Sequence, residues 1–225
     1  MTGLSCIVPA YNEAARIGAV LRVLGAHPLV DEVIVVDDGS TDGTAEVARG
    51  VPGITLLEQP RNAGKTQALA AGLRAARGSL VMFIDADLVG LRAEDITALV
   101  TPVQTGAAEV ALSLRRNAPA LWHRLGIDYI TGERVLPRAW LAPHLDTLAS
   151  LPRFGFEVWL NGLLVARRAR IAVVSWPGVD SPLKARKHGR LSGILADARM
   201  LRDLWRTVGL RALPRQIAAM RRLRV

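Results

Sequence analysis

The chain has 225 residues, half of them hydrophobic and 22% charged, with a net charge of +9. This length suits one domain with a full core, and the composition excludes a disordered or fibrous chain. No apolar run reaches the ~18 charge-free residues of a membrane span, and the single cysteine, Cys6, excludes an intramolecular disulfide and fits a reducing cytoplasm.

Leu4–Val8 is a short apolar run with no basic residues before it, so it is expected to be a strand rather than a signal peptide. Ile17, Val20, Leu21 and Leu24 recur at helical spacing and predict a helix over 13–24, ending near Gly25 and Pro28. Residues 32–37 form a second strand, and Ser40 or Thr41 can cap a helix running to Arg49. A third strand over 54–57, a helix over 65–76, a fourth strand over 80–84, a helix over 94–103 and a fifth strand over 109–114 complete the first half. Continuous Val/Ile runs alternating with helices predict an α/β fold, a Rossmann-like, mostly parallel central sheet with helices on both faces. The second half is less regular. A helix over 156–168, a strand over 171–175, a loop over 176–182 and two terminal helices over 192–208 and 213–223 are expected, with no repeat and no linker. The simplest division is a single domain over 1–225, with a C-terminal helical tail.

In parallel α/β sheets ligands bind beyond the carboxyl ends of the strands. Four polar clusters fall there: Pro9-Ala10-Tyr11-Asn12-Glu13, Asp37-Asp38-Gly39-Ser40, Asn62-Ala63-Gly64-Lys65 and Asp85-Ala86-Asp87. The last is the most informative. Strand side chains alternate with period two, so D-x-D at a strand end turns both carboxylates to one face, where they repel unless a cation joins them. Such oxygen donors suit Mg²⁺ or Mn²⁺, and these in turn suit a diphosphate. Tyr11 offers a flat face for a base. Glu13 or Asp38 can accept hydrogen bonds from a base or ribose. Gly39 and Gly64 allow close backbone approach. The same residues also fit plainer roles, Asp38-Gly39 as a turn, Tyr11 as a rim residue and Asn62 as a helix cap.

Of 29 basic residues only Lys65, Lys184 and Lys187 are lysines. Lys65 opens a helix, a poor place for a cation unless an anion lies nearby. There is no dinucleotide glycine fingerprint and no phosphate-binding P-loop motif.

Val8-Pro9-Ala10-Tyr11-Asn12-Glu13, Val35-Val36-Asp37-Asp38-Gly39-Ser40-Thr41-Asp42 and Asp85-Ala86-Asp87 together resemble family 2 glycosyltransferases of the GT-A fold. The resemblance covers residues 4 to about 115. It implies a UDP- or GDP-sugar donor, a divalent metal (Mg or Mn) and inversion at the anomeric carbon. Pro9, Ala10, Tyr11, Glu13, Asp38, Gly39, Gly64 and Lys65 would lie on the nucleotide sugar. Asp85 and Ala86 would lie on the sugar-phosphate, and Asp87, with Asp85, on the metal.

The second half is similar to the dolichyl- or polyprenyl-phosphate hexose synthase branch and small bacterial relatives. Thr131-Gly132-Glu133-Arg134-Val135-Leu136-Pro137-Arg138 resembles their S-G-x-R-x-x-x-R segment. Gly155-Phe156-Glu157-Val158 resembles G-[FY]-x-x-E-[IV], with the glutamate closer to the glycine. Gly178-Val179 followed by Lys184 and Lys187-His188-Gly189 resembles their late basic loop, with Asp180 and Ser181 where relatives often carry a histidine. On this reading residues 1–115 bind the nucleotide sugar, 116–190 the acceptor, and 191–225 form a basic amphipathic tail.

Inversion needs a stabilised leaving diphosphate, for which Arg134, Lys184 and Lys187 are candidates. A hydroxyl acceptor also needs a base, and Glu157 stands at the matching position. A polyprenyl-phosphate acceptor needs none, and Glu157 is then structural. Arg115 and Arg116 can grip an acceptor phosphate or form a solvated pair. The arginine-rich tail suits an anionic membrane surface or packs on the domain with its charges outward. The expectation is a cytoplasmic enzyme, peripheral on the inner membrane face, with a lipid-linked acceptor or a small soluble or glycolipid hydroxyl. A non-catalytic sugar-nucleotide binder is the alternative of another class. Few aromatics interleave the arginines, so nucleic acid is not an expected partner.

Overall fold

The computed structural model describes residues 3–151, 155–181 and 212–225. The expected helix over 192–208, Lys184, Lys187, His188 and four tail arginines, Arg199, Arg202, Arg206 and Arg211, lie outside them.

Seven strands form one sheet in the order β3-β2-β1-β4-β6-β5-β7. They are β1 (Leu4–Ala10), β2 (Glu32–Asp37), β3 (Ile54–Glu58), β4 (Leu80–Phe83), β5 (Val110–Arg115), β6 (Arg134–Pro137) and β7 (Ile171–Trp176). Within this sheet β1 to β4 pair in parallel, as do β5 and β7. β6 runs antiparallel to both β4 and β5. The carboxyl ends of β1 to β4 therefore share one rim with those of β5 and β7, as the alternating pattern predicts.

The alternation of side chains divides the core in two. Ile7, Ile34, Val36, Val81 and Phe83 point to one face, and Cys6, Val8, Val33, Val35 and Met82 to the other. The first face is covered by α3 (Lys65–Ala75), α6 (Leu145–Ser150), α7 (Gly155–Arg167) and α8 (Ala212–Arg222), and the second by α1 (Ala14–Gly25), α2 (Thr44–Arg49) and α4 (Ala93–Gln104). Burial on both faces explains why these strands read as unbroken apolar runs. α3 lies close on β1. A methyl at Gly72 would come within 2.4 Å of Ile7 Cγ2, so the glycine sets the packing distance.

One helix start is corrected, and the segment over 116–155 holds elements that the pattern does not predict. α2 starts at Thr44, not beside Ser40, because Asp42 accepts the Thr44 amide in a tight turn (3.0 Å) and Gly43 follows with φ +88°. The segment read only as a motif contains β6, inserted between β4 and β5. It is hard to read because just four residues are extended and the first is a buried arginine. Short helices α5 (Ala120–Leu125) and α6 carry too few turns to show a period. The end of the tail, α8, packs through Leu213 and Met220 onto the domain with Arg215, Arg221 and Arg222 exposed. No helix among the described residues is long and apolar enough to cross a membrane.

Candidate active site

On the β1–β2 side the rim is built from loops tied to each other. Asn12, at φ 55°, accepts the Thr41 amide through Oδ1 (2.9 Å), and its own amide donates to Ser40 Oγ (2.9 Å). Asp38 is buried, and its two carboxylate oxygens accept the amides of Ala63 and Gly64, both at 2.8 Å. It thus anchors the loop before α3, and the expected contact with a nucleoside would have to share it. Gly39 has φ +72°, and a Cβ there would lie 2.6 Å from the Arg61 carbonyl carbon, so only glycine fits where this loop crosses. Tyr11 stands out from the rim, 45% exposed. Glu13 lies beside it, paired with Arg16 at 2.9 Å.

Asp85 and Asp87 follow the end of β4. Lys65, at the start of α3, donates to Asp85 Oδ1 at 2.7 Å and lies 3.4 Å from Glu157 Oε1. A cation at a helix start is thereby explained by its anions. Burial opposes the Lys65 charge, but Asp85 and Glu157 outweigh it and hold the ammonium above the ordinary lysine range. Glu157 is buried in the first turn of α7, where Phe156 packs edge-on against Phe83 of β4 with ring centroids 5.1 Å apart. That aromatic contact fixes the start of α7 against the strand that carries the aspartates. Gly132 lies under Asp85. A Cβ there would come within 2.7 Å of both carboxylate oxygens.

Asp87 behaves differently. Ser181 Oγ donates to its Oδ2 at 3.0 Å, while Oδ1 is buried with no hydrogen-bond partner among the described residues. Burial, then the charge of Asp85, pushes its carboxyl up to about 6. A buried carboxylate oxygen without a donor, beside a second carboxylate, is a charge awaiting a cation. Asp85 and Asp87 fit a hard divalent ion, Mg²⁺ or Mn²⁺, in the manner of sites that use one or two carboxylates and complete the shell from substrate phosphates and water. No group of three or more His, Cys, Asp or Glu suited to a metal occurs among the described residues.

The arginines part company. Arg115 turns inward, 13% exposed at its side chain, between Asp128 (3.7 Å) and Glu133 (3.4 Å). Burial opposes its charge, but Glu133, Asp128 and Asp85 outweigh that and raise its pKa. Arg116 turns outward and forms a two-pronged pair with Asp180, Nε to Oδ1 at 2.9 Å. The two do not form the joint grip expected from their adjacency.

Arg134 opens β6 level with the end of β4 but is not open to the rim. It is fully buried and donates to the Thr131 carbonyl (2.8 Å), the Tyr129 carbonyl (3.2 Å) and Asn161 Oδ1 (2.7 Å). Its donors fasten the turn before β6 to α7, which corrects the expectation that it faces a leaving diphosphate.

Glu133, Asp128, Ser113 and Thr131 went unrecognised as site residues in the sequence. Glu133 is fully buried, with Oε2 accepting from Ser113 Oγ (2.7 Å) and Thr131 Oγ1 (2.6 Å). Burial pushes Asp128 up to about 6, against the pull of Arg115. Thr131 and Glu133 lie inside the Thr131–Arg138 motif, while Ser113 and Asp128 carry no signal of their own.

The model of glycosyl transferase family 2 matches residues 5–137, and the chain belongs to that family. Among curated relatives, the chain is 28% identical over 228 residues to a dodecaprenyl-phosphate galacturonate synthase of Rhizobium johnstonii, covering 89% of this chain and 65% of that one. It is 43% identical over 94 residues to a dolichyl-phosphate beta-glucosyltransferase of Trichomonas vaginalis, covering 36% of this chain and 28% of that one. The chain thus spans just under two thirds of the first relative and little more than a quarter of the second. Among solved structures, glucosyl-3-phosphoglycerate synthase of Mycobacterium tuberculosis with Mn²⁺, UDP and glucosyl-3-phosphoglycerate superposes with a TM-score of 0.69 at 26% identity, covering 96% of this chain and 80% of that one. The fold is GT-A, as the sequence resemblance implies.

Proposed function

We propose that the chain is a metal-dependent, inverting glycosyltransferase that moves a hexose from a nucleoside-diphosphate sugar to an acceptor bearing a phosphate. The observation that carries this reading is the Asp85/Asp87 pair after the end of β4, with one buried Asp87 oxygen lacking a donor among the described residues. A solved relative was captured with UDP-glucose, Mn²⁺ and phosphoglyceric acid, and curated relatives are named for polyprenyl-phosphate acceptors, which supports both donor and acceptor class.

Asp87, with Asp85, would hold Mg²⁺ or Mn²⁺, which when bound neutralises charge on the departing diphosphate. Tyr11 and Glu13 border the place for the base and ribose. Gly39 and Gly64 leave room for the backbone to approach, and Pro9, Ala10 and Ala86 line the strand ends. Lys65 holds Asp85 and Glu157 in place. Arg115, held between Asp128 and Glu133, keeps a buried positive charge beneath the acceptor half. A polyprenyl phosphate attacks with an oxygen already ionised, and Glu157 then orients Lys65. A hydroxyl acceptor would instead hand its proton to Glu157. Residues 1–115 form the donor half of a single domain over 1–225, 116–190 the acceptor half and 191–225 a basic tail. Lys184 and Lys187, beyond the described residues, are further candidates for the diphosphate. A peripheral position on the inner membrane face is supported by the exposed arginines of α8 and by the lipid-phosphate names of the relatives.

The test is a thermal-shift screen of UDP- and GDP-sugars with and without Mn²⁺, followed by transfer assays on a polyprenyl phosphate and on phosphoglycerate. A Mn²⁺-dependent rise in melting temperature with one donor is expected, and Asp87→Ala should abolish its metal-dependent part. No shift with any donor would overturn the reading.

A further inference from the structure

We propose that Asn117 is a positioning residue for the metal carboxylate Asp87, and that it acts through Ser181. Asn117 stands just after β5, and its side-chain amide engages Ser181 on both sides of the backbone. Oδ1 accepts the Ser181 amide at 3.2 Å, and Nδ2 donates to the Ser181 carbonyl at 2.5 Å. The side chain thus takes the part of a neighbouring strand for this one residue, and Ser181 is presented with its hydroxyl toward Asp87 Oδ2 at 3.0 Å.

The preceding residue is fixed as firmly. Asp180 exchanges backbone hydrogen bonds with Val89 at 2.8 and 2.9 Å, and its carboxylate meets Arg116. Val89 lies two residues beyond Asp87, so the loop after β7 is tied to the segment bearing the aspartate and to the turn after β5. Gly90 makes the crossing close, since a Cβ there would meet the Gly178 carbonyl oxygen at 2.4 Å.

One oxygen of Asp87 is therefore held by a hydroxyl, and the other is buried without a donor among the described residues. A carboxylate free to spin would present either oxygen and lose part of its affinity to that freedom. Partners that orient a ligand carboxylate typically change metal affinity by about 10–100-fold when removed. Such a role gives a purpose to Ser181 at a place where a protein ligand could have stood.

The inference rests on the reading of Asp87 as the metal carboxylate. Mn²⁺ affinity of the full chain, read by the loss of the free-ion electron paramagnetic resonance signal at saturating UDP, tests it without turnover. Ser181→Ala and Asn117→Ala should each weaken Mn²⁺ about tenfold or more. The double variant should be no weaker than Ser181→Ala alone, because the two act in series. If wild type itself binds no Mn²⁺, the proposed function fails. If wild type binds and both single variants keep its affinity, the positioning role fails while the function stands. Additive losses would also overturn it, since Asn117 would then act by another route. Should Asn117→Ala not fold, unchanged affinity in Ser181→Ala suffices to refute it.

Discussion

On the β1–β3 side of the crevice, loops are tied by side chains that accept backbone amides: Asn12 with Thr41, Asp42 with Thr44, and Asp38 with Ala63 and Gly64. On the β5–β6 side a buried set of charges does the holding, with Arg115, Asp128, Glu133 and Arg134 joined by Ser113, Thr131 and Asn161. The first arrangement is local and can open for a ligand at the expense of one or two hydrogen bonds. The second cannot be loosened in part, because every charge left without its partner in a dry interior is costly. A softer side facing a more rigid one suits a site that, on the proposed function, must admit and release a nucleotide.

The largest expected effect is on the rigid side. Arg134→Met removes donors from two carbonyls and Asn161 and should cost about 3–5 kcal/mol of unfolding free energy, read by denaturant titration. A cost below about 1 kcal/mol would dissolve the contrast between the two sides. Next, Gly132→Ala should displace the Asp85 carboxylate, lowering kcat/KM by roughly 100-fold with little change in unfolding midpoint. On the softer side, Asp38→Ala should cost about 2 kcal/mol, since it strips a charged acceptor from two amides. Hydrogen exchange at Ala63 and Gly64 should rise with no change around Arg134.

The smallest effect concerns charge. Asp87 titrates near 6 in the folded chain, against an ordinary value near 4. The folded state therefore takes up a proton between these values before the unfolded state does, and stability from this group rises as pH falls from 6 towards 4. Above 6 the ionised carboxylate is a standing penalty. Asp87→Asn should then raise the ligand-free melting temperature at pH 7 by roughly 2–4 °C, and the gain should vanish near pH 4. The same substitution should lose the Mn²⁺-dependent shift, so stability and metal binding move in opposite directions.

The two sides also differ in how legible they are. Val35-Val36-Asp37-Asp38-Gly39-Ser40 announces itself, since a buried strand, a carboxylate and a positive-φ glycine are adjacent in the chain. Lys65 stands out because cations avoid helix starts, and its partners Asp85 and Glu157 answer the question it raises. The buried charges offer no such cue. Arg115 meets Asp128 and Glu133 across 13 and 18 residues, and Arg134 meets Asn161 across 27. Pairing at those separations depends on β6 lying between β4 and β5, and a four-residue strand opening with arginine does not read as one. The pair Arg115-Arg116 shows the same limit, because neighbours on a strand end face opposite ways.

The far edge of the sheet carries a consequence of its own. β7 would present a row of open backbone groups, but the Ile171 amide donates to the Leu223 carbonyl at 2.9 Å and the Val225 amide to the Ile171 carbonyl at 3.0 Å. The segment after α8 thus shields the start of an edge strand that could otherwise template pairing with another molecule. Removing residues 223–225 would uncover that start, and the expected cost is self-association at high concentration rather than loss of the fold.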